Sequence, residues 1–144
     1  MRESLAIVLL AAMAGCIYYR ASNHSPIMAA TSATEFAQVA LVERNADKAF
    51  NMLHPDAQAY STKQKFAEIL TAMNSPTAPL YVNATDFEPI QGEEGMNIYL
   101  TGETDTQTFY YRIPMKGTKE KGYKPIGLFR NPGPYPKSTL RRPF

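Results

Sequence analysis

Residues 96–115 read MNIYLTGETDTQTFYYRIPM, and their period decides the fold. Met96, Ile98 and Leu100 alternate with Asn97, Tyr99 and Thr101. Phe109, Tyr111, Ile113 and Met115 then alternate with Thr108, Tyr110 and Arg112. Successive side chains of an extended backbone point to opposite faces, so each run predicts a strand with one buried face and one wet face. The polar segment Glu103-Thr104-Asp105-Thr106 supplies the turn of an antiparallel hairpin. Upstream, Leu80 to Ile90 predicts a further strand broken by Pro89, with a glycine-containing turn at Gln91 to Gly95. Downstream, Gly117 to Gly122 predicts a turn and Tyr123 to Arg130 a last strand, whose Pro125 marks an edge or a bulge.

The period changes before residue 80. Thr34 to Arg44 carries Phe36, Val39 and Ala40 at helical spacing, and Ala46 to Leu53 places Ala46, Phe50 and Leu53 on one side. His54-Pro55-Asp56 ends that second helix, because a residue before proline is pushed out of helical geometry. Ser61-Thr62-Lys63-Gln64 matches a capping box, followed by a Phe66, Ile69, Leu70, Met73 stripe and a stop at Asn74-Ser75-Pro76. Helices followed by a four-stranded antiparallel meander predict an α+β domain, with the helices packed on one sheet face.

The first residues carry an address. Leu5 to Ala12 is an unbroken apolar run of the length of a signal h-region, preceded by Arg2 and followed by Met13-Ala14-Gly15-Cys16. This stretch resembles a bacterial lipoprotein signal, which ends in small-small-Cys. The resemblance implies that Cys16, the one cysteine of the chain, carries the lipid. Met13 stands where leucine is usual, and Ile17-Tyr18-Tyr19 prolong the apolar run to Tyr19. An uncleaved anchor over Leu5–Tyr19, or cleavage further on, therefore stays open. A membrane span takes roughly 17–25 residues, so such an anchor is short. The expected division is a signal or anchor over 1–16, a tether over 17–33, a domain over 34–130 and a proline-rich basic tail over 131–144.

Within the domain, Asp47-Lys48-Ala49-Phe50-Asn51-Met52-Leu53-His54-Pro55-Asp56, leading through Ser61 to the Phe66 helix, resembles small exported members of the nuclear transport factor 2-like, or cystatin-like, superfamily. The ending Gly122-Tyr123-Lys124-Pro125-Ile126-Gly127-Leu128 is similar to their final strand. The resemblance covers Thr34 to Arg130. It implies a cone-shaped space between helices and sheet, and an assembly role of the kind an inner-membrane scaffold of type IV secretion systems has with such a domain. Fold alone does not transfer function.

Charge is unevenly placed. Residues 1–111 hold 6 basic and 12 acidic side chains, and residues 112–144 hold 9 basic and 1 acidic, within a net charge of +2. The basic end either faces acidic strands of the same sheet or meets an acidic partner or lipid headgroups, with Lys137, Arg141 and Arg142 as the contact residues. An exported chain without a recognition module gives no reason to expect nucleic acid.

The chemistry-bearing candidates are few. His54 and Asp56 are an acid/base candidate pair. Polyketide cyclase-like members of the superfamily use a His/Asp pair, but the positions do not correspond residue by residue, so no role is carried over. Tyr81, Tyr99, Tyr110 and Tyr111 are candidates to line a pocket, since tyrosine joins an apolar ring to a polar tip. Two distant histidines and one cysteine predict no metal site and no cofactor. No phosphate loop, dinucleotide fingerprint or nucleophile elbow occurs. The expected protein is a non-catalytic, membrane-anchored, extracytoplasmic binding or assembly module of the bacterial cell envelope. Its expected partners are another envelope protein, or a second copy through the open sheet face. A binder of a small apolar ligand and a His/Asp cyclase or isomerase are the alternatives.

Overall fold

The computed structural model describes residues 23–144; the expected signal, anchor and Cys16 lie outside the described residues. Among the described residues no helix is long and apolar enough to cross a membrane. The described residues fold as α+β, with four α-helices followed by a six-stranded antiparallel sheet.

Helix α1 runs from Pro26 to Ala37, so part of the expected tether is helical and the folded unit begins before Thr34. The cause is legible at residue level. Ser25 caps the helix by accepting from the Met28 amide at 3.3 Å, and Pro26 opens it where no amide hydrogen is needed. Ala29, Ala33, Phe36, Ala37 and Ala40 are fully buried at helical spacing. Four of those five are alanine, and their small side chains let the helix lie close against the sheet. The helix continues as a π-turn over Gln38–Val42 and reverses at Arg44, whose φ is 56°.

Helix α2 (Ala46–Met52) is capped by Asn45, which accepts from Lys48 N at 3.0 Å. His54-Pro55-Asp56 does end α2, but it also opens a short helix, α3 (Pro55–Tyr60), that the sequence did not predict. The same proline that cannot continue one helix serves as the first residue of the next. Helix α4 (Lys63–Met73) is capped by Thr62, whose hydroxyl accepts from Lys65 N at 3.1 Å. The expected capping box is therefore displaced by one residue, and Gln64 instead donates along the helix to Glu68 at 3.1 Å. Phe66 and Leu70 are buried, whereas Ile69 is exposed.

The strands are β1 (Tyr81–Pro89), β2 (Gly95–Glu103), β3 (Thr108–Thr118), β4 (Gly122–Pro125), β5 (Phe129–Asn131) and β6 (Arg142–Pro143). They lie in the order β4-β3-β2-β1-β6, with β5 beside β4 on the same edge of β3. The expected four strands become six for two reasons. The predicted final strand divides into β4 and β5 after Pro125, and the tail, expected as an appendage, contributes β6.

The hairpin register matches its alternation. Ile98 faces Ile113, Met96 faces Met115 and Leu100 faces Tyr111, all buried towards the helices with Phe36, Phe50 and Phe66. These side chains fill the space between helices and sheet. The opposite face carries Tyr99 against Arg112 and Thr101 against Tyr110. Asp86 of β1 stands opposite Tyr99, so Arg112, Tyr99 and Asp86 form one row across three strands.

Candidate functional site

The four candidate tyrosines do not converge. Tyr111 points into the core, where burial pushes its phenol up to about 12 and its hydroxyl has no partner among the described residues. Tyr81 is exposed, and its hydroxyl donates to Glu103 Oε2 at 2.6 Å. Tyr110 is half-buried in the strand opposite Asn131. Tyr99 lies on the outer face, yet only 6% of it is exposed. A strand puts alternate residues on opposite faces, so the neighbours Tyr110 and Tyr111 cannot share a pocket.

Tyr99 is covered by the tail. From β5 the chain crosses the outer sheet face and ends paired with β1, where Asp86 faces Pro143 and Phe87 faces Arg142. The Tyr135 ring packs edge-on against Tyr99 with centroids 5.3 Å apart. The Arg141 guanidinium lies 4.0 Å from the Tyr99 ring centroid, and its Nη2 is 2.7 Å from Asp86 Oδ2. Glu88 accepts from Tyr99 at 2.6 Å and from Ser138 at 2.8 Å. The sheet face expected to be open is thus crossed by a strap of the chain itself. Arg141, expected to meet a partner or lipid, is an internal clasp. Lys137 and Arg142 stay exposed, the latter donating to Thr139 O at 2.7 Å.

The strap has a pH window. Hydrogen bonds from Tyr99, then Ser138, hold the Glu88 carboxyl below its usual range. Burial, then the bond to Glu88, pushes the Tyr99 phenol up to about 12. A lowered carboxyl stabilises the fold above its ordinary pKa and loses that contribution as pH falls through the lowered value. A raised phenol contributes fully below its ordinary value of about 10 and loses the contribution as pH rises towards 12. The thermal midpoint should therefore fall on both the acid and the alkaline side. Glu88→Gln should flatten the acid limb; an unchanged acid limb in that variant would remove Glu88 from the clasp.

His54 and Asp56 are adjacent, but both are engaged structurally. His54 caps α3: its Nδ1 accepts from the Asp56 amide at 3.2 Å, while its own amide donates to Pro125 O at 2.8 Å. The Asp56 carboxylate is half-exposed and pairs with Lys116 Nζ at 2.6 Å. The Lys116 hydrogen bond is the main cause that holds its carboxyl below the usual range. His54 Nδ1 also lies 3.5 Å from Asp56 Oδ2, so His54, Asp56 and Lys116 meet at the head of α3.

Beside this pair lies an open groove of about 500 Å³. Ala57 and Tyr60 of α3 form one side, and Ile90 and Ile126 supply further apolar surface. Asp56, Lys116, Glu93 and Glu94 give it a charged rim. Tyr60 is 92% exposed and so presents its whole ring at the edge of the groove. Position 95, in the groove wall, takes glycine because a Cβ there would sit 2.2 Å from the Met115 carbonyl oxygen. Sequence reasoning missed this groove, since Tyr60 and Ile90 stand outside any periodic pattern. It also missed the Asp86, Glu88, Tyr135 and Arg141 cluster, whose one sequence signal is the aromatic and basic content of a proline-spaced tail.

Among the described residues no three His, Cys, Asp or Glu side chains gather as metal ligands. The late basic excess meets the early acidic one within the molecule, through Arg141–Asp86, Lys116–Asp56 and Lys121–Glu94. Comparison with protein-family models, with curated proteins and with solved structures gives no match.

Proposed function

We propose that the protein is a membrane-anchored, extracytoplasmic binding or assembly module of the bacterial envelope, with a domain of the nuclear transport factor 2-like, cystatin-like kind. Cys16 is the lipid-bearing residue in this reading, or Leu5–Tyr19 is the anchor. The observation that carries the binding role is the groove beside α3: apolar side chains, a bare tyrosine and a charged rim in one place. Exposed aromatic residues in concave sites are the usual anchors of protein contacts. The occupied states of His54 and Asp56 favour binding over acid/base chemistry.

A photo-crosslinker placed at Tyr60 in intact cells should capture one discrete envelope protein, and the same group at Glu68 on α4 should not. Ala57→Trp, which would fill the groove from its half-buried wall, should abolish the Tyr60 adduct; urea unfolding checks that the variant still folds, since Ala57 also touches the core and overpacking there costs about 1–3 kcal/mol. Equal capture from Tyr60 and Glu68, or capture that survives Ala57→Trp, would remove the groove from the function. Capture of a small apolar molecule in its place would favour the ligand-binding alternative.

A further inference from the structure

The point where residues 1–22 join the described fold is fixed by two hydrogen bonds to the β3–β4 hairpin. Lys119 N donates to Asn23 O at 2.8 Å, and Ser25 N donates to the Tyr123 hydroxyl at 2.8 Å. Two residues later, the first turn of α1 presents Ile27 at 74% exposure and Met28 at 40%. The hairpin tip beside them carries exposed Lys119 and Lys121. Lys121 has a loose, solvent-exposed pairing with Glu94 at 3.6 Å. One end of the domain therefore combines bare apolar side chains with flexible cations, next to the chain that leads back to the apolar segment.

In the anchored reading, covalent reach keeps this end near the bilayer. Asn23 is four residues beyond Tyr19, at most about 14 Å of extended chain, and seven beyond Cys16, at most about 25 Å. Attraction between lysines and headgroups acts over a screening length of roughly 8–10 Å.

We propose that this end of the domain rests on the membrane surface, an inference that builds on the anchored reading above. Ile27 and Met28 enter the headgroup layer, and Lys119 and Lys121 face anionic headgroups. Glu120 lies between the two lysines, Glu94 pairs with Lys121, and Glu93 stands with Glu94 beside Asn23 and His24, so the apolar pair provides most of the attachment and Lys119, which has no ion pair among the described residues, is the cation that responds to negative lipid. The docking fixes the orientation of the domain instead of leaving it to swing on the tether.

The test uses the full chain reconstituted with phosphatidylcholine vesicles, with and without phosphatidylglycerol. Flotation reads attachment, and acetylation rates measured by mass spectrometry read the exposure of each lysine. Lys119 should be acetylated several-fold more slowly on the anionic vesicles, while Lys65 on α4 should not change. The protection should fade in about 1 M salt, where screening shortens to roughly 3 Å. Ile27→Asp should remove it while keeping the thermal midpoint. Should that variant not fold, the native footprint decides alone. Retention on neutral vesicles with equal Lys119 reactivity on both would overturn the docking and leave the anchor standing. Attachment and protection on anionic vesicles alone would support the docking and sink the anchor. No flotation with either would end both. Protection that follows protein density and ignores lipid charge would place a second copy on this surface and overturn the proposal.

Discussion

A chain ending at Asn131 should unfold roughly 10–15 °C lower than the full chain, a loss of the order of 3 kcal/mol for a domain of this size. The loss has three sources. Tyr99 goes from 6% exposure to a wet sheet face and loses the edge-on contact with Tyr135. The Arg141 guanidinium leaves both the Tyr99 ring and Asp86, in a place where its side chain is 15% exposed and screening is weak. Phe144 no longer covers Phe87, from which its ring centroid stands 5.3 Å away. Removing β6 also frees the edge of β1, and a bare edge beside an apolar face invites pairing with another chain. Concentration-dependent association should accompany the lower midpoint. Arg141→Ala should reproduce about half of the loss without association, because Tyr135 stays in place. Differential scanning calorimetry and sedimentation velocity read both effects. A truncated chain with an unchanged midpoint and an unchanged monomer would show that the strap is ornamental.

Gly117→Ala should be as damaging as any single substitution in the domain, at about 3 kcal/mol or more. Gly117 has φ +142°, a region that side-chain-bearing residues avoid. An added Cβ would also meet the Gly122 carbonyl oxygen at 1.9 Å, and that oxygen belongs to backbone that cannot rotate away. The damage would spread along the contacts of β4. Tyr123 would lose its hold on Ser25 at the head of α1, and Pro125 its hold on the His54 amide. Gly122→Ala provides the contrast. Its φ is +77°, but nothing lies within 4 Å of the added carbon, so only the backbone cost of about 1–2 kcal/mol applies. Urea unfolding of the two variants side by side separates collision from conformational preference. Equal losses would show that the hairpin opens to accommodate the methyl group.

The central hairpin was fully legible because its information is local. Which of Tyr110 and Tyr111 enters the core follows from a period of two, and the observed register of Leu100 with Tyr111 agrees. Helices α2 and α4 were legible for the same reason, with the bounds of α2 and the cap of α4 placed within a residue. Where the reading went astray, the signal was present but ambiguous. Ser25-Pro26 followed by alanines reads equally as a tether or as a capped helix until something is seen to bury those alanines. Pro55 both ends α2 and begins α3, and local sequence has no way to choose one role alone.

By itself the sequence determined an α+β chain with a half-buried antiparallel hairpin, and an early acidic and late basic division of charge. Those properties come from neighbours a few residues apart. Tertiary structure decided where the charges meet, that the proline-rich tail is a strap across the outer face, and that Tyr99 and Tyr111 lie on opposite sides of one sheet. It also decided that His54 and Asp56 spend their polar atoms on a helix cap and a lysine, beside a groove built from α3, the β1–β2 turn and the β4–β5 connection. The partners in each case are far apart in sequence, 55 residues for Arg141 and Asp86 and 60 for Lys116 and Asp56. No local pattern specifies such pairs, because their energy exists only after the sheet has brought them together.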